Sequence, residues 1–279
     1  MPTIDQKKLP PILYKFYPIE SWLPQLFAGE SISFSSRLKF NDPFDCRPGF
    51  KLDSGAAARK YLHDKFRSTT LSASRRIGEV ERIMRKNGGQ DSIAAEATQH
   101  MLDEIGILCL TTKWDNALMW AHYAKDHTGI CIGFKRNVGI FHAANPVRYS
   151  DDFPIIVRPR DTDEEMFQKT FLTKAKCWNY EDEWRITKNK RTAEDREDLY
   201  NSFCISTSVS NARQLADLRG AAFYQFDNSA IESVTLGMRC DGTNAALVKA
   251  ALKSANLAVP LYQVTQPSTT YLLARQLVI

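Results

Sequence analysis

Short runs rich in β-branched and aromatic residues recur along this chain, while strong helix formers concentrate in one block. That distribution confines the fold to an α+β layout. Strand patterns are read at residues 12–17, 31–35, 107–111, 130–134, 180–186, 203–209, 222–226, 231–236 and 261–264. Residues 20–27, 117–124 and 243–255 carry helical patterns, with Asp115 placed to cap the second and Gly129 to end its segment. Residues 41–45 read as a turn, because Asp before Pro and Asx side chains favour turn geometry. Between about 55 and 105 the β-branched runs vanish and Ala and Arg rise, so a helical insertion is expected, split at Asn87-Gly88-Gly89. Residues 188–198 read as a charged loop. The expectation is a single domain over residues 1–279, with mixed or antiparallel central sheets and that one insertion.

At 279 residues and 43% hydrophobic, the chain can bury a substantial core. It has no run of about eighteen apolar residues, and its first residues lack the apolar core of a signal peptide. A cytoplasmic location with no membrane partner is therefore expected. The six cysteines are scattered without a CxxC pair and the five histidines show no HExxH spacing, so reduced thiols and no metal centre are expected. The net charge of +5 is uneven, because residues 59–86 hold nine Lys/Arg against Asp64, Glu79 and Glu81, a local +6. The plain reading is a solvated helical face; the alternative is attraction of nucleic acid to these basic helices.

The candidate chemistry centres on Tyr180-Glu181-Asp182-Glu183-Trp184-Arg185-Ile186. A period of two puts Tyr180, Asp182, Trp184 and Ile186 on one strand face and Glu181, Glu183, Arg185 and Thr187 on the other. Such a face is either a structural ion network or a catalytic centre. Same-face neighbours lie about 7 Å apart along a strand, a separation that also permits an acid/base pair. On the 117–124 helix, Trp120 and Tyr123 share a face with His127. Trp120 reads as core packing, whereas Tyr123 and His122 carry polar groups better suited to lining a cleft. Asn41 and Asp42 suit a scaffold turn and a site equally.

Leu13-Tyr14-Lys15-Phe16, Phe40-Asn41-Asp42-Pro43-Phe44-Asp45, Leu118-Met119-Trp120-Ala121-His122-Tyr123-Ala124 with His127 and Gly129, and Trp178-Asn179 running into the acidic strand together carry a resemblance. They resemble a widespread bacterial family of unknown function, marked by FNDPFD, a WxHYA helix and a YExEWR strand. A second resemblance is to the ADP-ribosyltransferase fold. It rests on the strand, short helix and strand around Tyr123, followed by a Glu opening Glu183-Trp184-Arg185-Ile186.

That second resemblance implies a split β core and NAD as substrate, with no metal. Tyr14 or Lys15 would take the first-strand role, Tyr123 the place beside nicotinamide, and Glu183 the carboxylate that stabilises charge developing on the ribose. The usual His or Arg of the first position is absent from residues 13–17, where Lys15 is the substitute. The implied catalytic set is Glu183, Glu181, Tyr123 and His122. The implied cofactor contacts are Tyr14, Lys15, Ser33, Ser35, Asn41 and Asp42, with Trp120 and Arg185. The implied activity is ADP-ribose transfer to a macromolecular acceptor, or NAD hydrolysis, by a toxin or phage-defence effector. The alternative is a non-catalytic module of the same family that binds a ligand or nucleic acid.

Overall fold

The computed structural model describes residues 9–67, 69–85, 99–203 and 209–278. In chain order come β1 (Ile12–Tyr17), α1 (Leu23–Phe27), β2 (Ile32–Phe34), β3 (Gly49–Leu52), α2 (Ala56–Arg67), α3 (Ala73–Arg85) and β4 (Gly106–Thr111). Next are α4 (Ala117–Tyr123), β5 (Ile130–Lys135), β6 (Asn145–Pro146), β7 (Arg148–Ser150), β8 (Ile155–Arg158), α5 (Asp163–Phe171) and β9 (Thr173–Ala175). The remainder holds β10 (Glu183–Lys188), α6 (Ala193–Phe203), α7 (Val209–Ala216), β11 (Ala222–Tyr224), β12 (Ile231–Leu236), α8 (Gly242–Ser254), β13 (Leu261–Thr265) and β14 (Ala274–Leu277). These elements fall into two compact units, one made of Arg37–Glu104 and Val147–Trp178, the other of the rest.

The larger unit is built on an eight-stranded sheet of order β14-β13-β12-β5-β1-β4-β10-β6. Its β12–β13 pair is parallel and the other pairs are antiparallel, so the sheet is mixed and the fold α+β. The period of two divides its side chains between two apolar faces. Leu13, Leu108, Ile132, Trp184 and Val234 join Phe27 of α1 and Val248 of α8 in the main core. Tyr14, Phe16 and Cys131 point the other way, against Met119 and Trp120 of α4. Strand β1 pairs with β5 along its whole length but meets β4 at the single pair Tyr14↔Thr111. Lys15 reaches across to β4, its Nζ donating to the Cys109 carbonyl at 3.1 Å.

The smaller unit holds two parallel two-stranded sheets, β3–β8 and β7–β9. Its α2 and α3 pack through a cluster of Leu62, Val80 and Ile83. They occupy the block expected to be helical; Asn87-Gly88-Gly89 and residues 91–98 lie outside the described residues. No helix among the described residues is long and apolar enough to cross a membrane.

Four local expectations are corrected. The acidic strand begins at Glu183 rather than Tyr180, because Lys176–Glu181 is a 3₁₀ turn and Asp182 takes a left-handed φ of 44° that breaks the alternation. The cap of α4 is Asn116, whose Oδ1 accepts from the Leu118 and Met119 amides, and not Asp115. The charged loop contains α6, whose Glu194 and Asp195 suit the first turn of a helix. In place of a strand over 203–209, Phe203 ends α6 and Val209 opens α7, with 204–208 outside the described residues. Alternation over so short a run does not separate strand from helix.

A Cβ on Gly129 would lie 2.2 Å from the Tyr17 carbonyl oxygen, which a backbone contact cannot relieve locally. Gly129→Ala is expected to lower stability by about 1–3 kcal/mol or more, read as a fall in the urea midpoint. Lys188 is buried and donates to the Gln214 carbonyl at 2.6 Å, in the last turn of α7. Burial depresses its pKa to about 8, against roughly 10.4 in an unfolded chain. Below pH 8 the fold carries the full cost of the buried charge. Between about 8 and 10.4 the folded protein loses this proton before the unfolded chain does, so stability rises with pH. Relative to Lys188→Met, the wild type should gain up to about 3 kcal/mol across that window, measured by urea denaturation at stepped pH.

Candidate active site

Trp184 and Ile186 of β10 belong to the main core, so the alternate residues Glu183 and Arg185 project from the opposite face of the sheet. Their register partners on β4 are Thr111 and Cys109. Arg185 donates from Nε to Glu183 Oε1 at 2.8 Å and from Nη2 to Oε2 at 2.9 Å. The side chains are 0% and 4% exposed, a bidentate ion pair out of contact with bulk water. Burial pushes the Cys109 thiol well above its ordinary pKa, and the neighbouring Glu183 carboxylate adds to that shift. The thiol is therefore kept protonated and unreactive.

Glu181 ends the 3₁₀ turn just before the strand and is buried. Its Oε1 accepts from the Tyr123 hydroxyl at 2.7 Å. The Thr111 hydroxyl donates to the Glu181 carbonyl, and the Thr112 hydroxyl to the Asp182 carboxylate. Asn116 joins this turn to α4: it caps the helix with Oδ1 and donates from Nδ2 to the Tyr180 carbonyl at 2.9 Å. The helix that carries Tyr123 and the turn that carries Glu181 are thus fastened at their bases. His122, exposed, lies beside Tyr123 and Tyr180 with ring centroids 6.1 and 6.5 Å away. Tyr123 and Tyr180 are both half-buried, so Glu181 sits at the foot of an aromatic rim.

Glu181, Glu183, Arg185, Tyr123 and His122 thus come together in the larger unit, with Tyr14 and Trp120 in the apolar cluster of the same face. Trp120 is fully buried, with its ring edge-to-face on Phe16 at 5.0 Å and Nε1 donating to the Trp114 carbonyl at 2.8 Å, so it packs the helix onto the sheet. Lys15 sits between the core residues Leu13 and Tyr17 on β1, and burial lowers its pKa against the raising effects of Cys109 and Glu183. Ser33 is paired with Phe223 in the small β2–β11 sheet, and Ser35 exchanges both backbone bonds with Ile107 at 2.9 Å.

Asn41 and Asp42 belong to the smaller unit. Asp42 Oδ1 accepts from the Phe44 amide at 2.9 Å, an Asx turn within its own loop. Next to it, Asp45 pairs with the buried Lys174 at 3.6 Å, and the buried Arg37 donates to the Cys46 carbonyl at 2.7 Å. These contacts give the turn a scaffold role inside its unit.

Arg275 of β14 is a residue that sequence reasoning missed. Its guanidinium lies 4.7 Å from the Trp114 ring and 4.2 Å from the Tyr262 ring, and donates to the Thr235 hydroxyl at 3.3 Å. Burial raises the Tyr14 pKa and the neighbouring Arg275 opposes that shift. The segment Ala274-Arg275-Gln276-Leu277 has no alternating apolar pattern that marks a strand, so nothing in the sequence flagged it. Among the described residues, no group of three or more His, Cys, Asp or Glu is gathered to hold a metal ion.

Residues 119–186 match the family described as "Protein of unknown function (DUF2971)". No curated protein and no solved structure matches the chain. The matched residues contain Tyr123, Glu181, Glu183 and Arg185, while Tyr14 and the Asn41–Asp45 turn lie outside them. The match therefore covers the turn that holds Glu181 and most of the helix and strand on either side of it, within about a quarter of the chain.

Proposed function

We propose that this protein consumes NAD, releasing nicotinamide and passing ADP-ribose to a macromolecular acceptor or to water. The observation that carries this reading is the pair of carboxylates on adjoining turn and strand: Glu183 is fixed by a bidentate guanidinium, and Glu181 is bonded to Tyr123 under an aromatic rim. Cleavage of the glycosidic bond sends its electron pair out with neutral nicotinamide and leaves positive charge on the ribose. A carboxylate already oriented by protein contacts stabilises that charge without reorganising as it forms. Glu183 takes this role because Arg185 fixes its position on a rigid strand.

The attacking oxygen, from water or from the acceptor, bonds to the ribose carbon and gives its proton to Glu181 or to solvent. Tyr123 supplies a flat ring for nicotinamide to stack upon. Tyr14, kept as a phenol by burial, remains a hydrogen-bond donor for the substrate. Loss of cellular NAD by such a reaction fits a toxin or phage-defence effector.

The test is nicotinamide release from NAD by the full chain, with and without cell extract. Glu183→Gln is expected to cut release by about 100-fold or more, and Glu181→Gln by much less. Comparable losses from both variants would instead mark an acid/base pair. Glu183→Gln also removes a counter-charge from the buried Arg185, a loss of up to about 3–5 kcal/mol, so thermal melting must accompany the assay. Tyr123→Phe keeps the ion pair and removes the hydroxyl that bonds Glu181; it should melt near the wild type and still release nicotinamide more slowly. Equal turnover by all these proteins, or none by any, overturns the reading.

A further inference from the structure

We infer that the outer faces of α2 and α3 dock on the phosphate backbone of a nucleic-acid duplex. The inference stands on the smaller unit alone and does not rest on the NAD reading. Both helices turn their apolar residues inward, Ala58 and Leu62 from one and Val80 and Ile83 from the other, with Leu52 of β3 packed against the same cluster. At 100° per residue, Asp64 lies opposite Leu62 together with the basic residues Lys60 and Arg67, and the basic residues opposite Val80 are Arg75, Arg82 and Arg85. All five are exposed.

The distribution of counter-charge makes this more than a basic composition. Glu81 is paired with Arg59, and Glu79 with Arg82 at 2.7 Å. Arg76 is half-buried and donates to the Arg67 carbonyl at 3.4 Å. Among the described residues, Lys60, Arg67, Arg75 and Arg85 have no carboxylate partner. Asp64 is the one exposed acid on the outer side of α2. Glu81 and Glu79 thus neutralise Arg59 and Arg82, and the outer faces keep Lys60, Arg67, Arg75 and Arg85 with Asp64 as the acid among them.

The chemistry of the patch selects the partner. Exposed cations on the two helices without an aromatic platform read phosphates rather than bases, because single-strand binders stack bases on exposed rings. Phe66 and Tyr61 are half-buried against the hairpin cluster and offer no such platform. Recognition is therefore electrostatic and independent of sequence, with affinity set by counterion release.

The experiment is fluorescence anisotropy of the full chain with a labelled mixed-sequence DNA duplex, between 50 and 200 mM salt, without NAD. Four phosphate contacts predict a slope of log K on log salt of about −3.6, or roughly a 150-fold loss over that range. The combined variant Lys60→Gln, Arg67→Gln, Arg75→Gln, Arg85→Gln changes only exposed side chains, so it should melt like the wild type and bind at least 100-fold more weakly at low salt. Duplex binding that is absent at 50 mM salt, insensitive to salt or retained by the variant overturns the inference. So does tighter binding to single strands of equal length, to vesicles of anionic phospholipid or to polyglutamate. Nicotinamide release by the variant reports separately on the NAD reading and does not bear on the docking surface.

Discussion

The Glu183–Arg185 pair is the interaction on which the larger unit turns. Taking a carboxylate and a guanidinium out of water costs several kcal/mol each, and their attraction repays this only when the geometry is close to ideal. Here it is bidentate, with both bonds under 3 Å, and both residues stand on one strand two positions apart. The pair is therefore set by the pleat itself and needs no long-range closure to form. An apolar pair of similar volume would fill the same space at no desolvation cost. The charges stand on a face that also carries Tyr14, Phe16 and Trp120.

A consequence follows for Glu181. Had the strand begun at Tyr180, period two would have put Glu181 beside Glu183 on the sheet. The left-handed Asp182 ends that alternation, and Glu181 instead turns to meet Tyr123 at the close of α4. Glu183 thus meets the Arg185 guanidinium while Glu181 meets the Tyr123 phenol. Environments that differ in this way are the usual means by which two like groups acquire separate roles.

Much of the sheet was legible because it is strongly periodic. Residues 12–17 and 231–236 were read to the residue, and 107–111 and 130–134 to within one, since buried strands announce themselves as apolar runs. The site was legible in its residues but not in its geometry. Nothing in Tyr180-Glu181-Asp182 shows that Asp182 takes a positive φ, because its side chain is bonded to Thr112, 70 positions away in the chain. The shift of the α4 cap from Asp115 to Asn116 has a similar cause: the Asn116 amide accepts from the helix and donates to Tyr180 at once, which a carboxylate cannot do. Lys174 and Arg275 escaped notice because their meaning lies in what they touch, Asp45 for one and two aromatic rings for the other.

The segment after α4 shows how the fold keeps Tyr123 on Glu181. Lys125, Asp126 and His127 take φ values of 46°, 54° and 69°, three successive left-handed residues with none a glycine. Each such residue costs roughly 1 kcal/mol or more unless its surroundings over-determine it. They do: the His127 carbonyl accepts from the Arg239 amide at 2.9 Å, the Gly129 carbonyl from the Gly237 amide at 2.8 Å, and Gly237 O from Gln263 at 2.6 Å. A Cβ on Gly237 would lie 2.2 Å from the His127 carbonyl oxygen, so the two loops pack too closely for any side chain there. The His127 ring also lies nearly parallel to Trp120, 16° between planes. The strained turn thus follows α4 directly after its cap at Ala124 and ties the helix to the loop after β12, while Asn116 ties its start to the Tyr180 turn. With both ends of a seven-residue helix fixed, Tyr123 has little freedom to leave Glu181, which explains why Trp120, Tyr123, His127 and Gly129 occur together in so short a stretch.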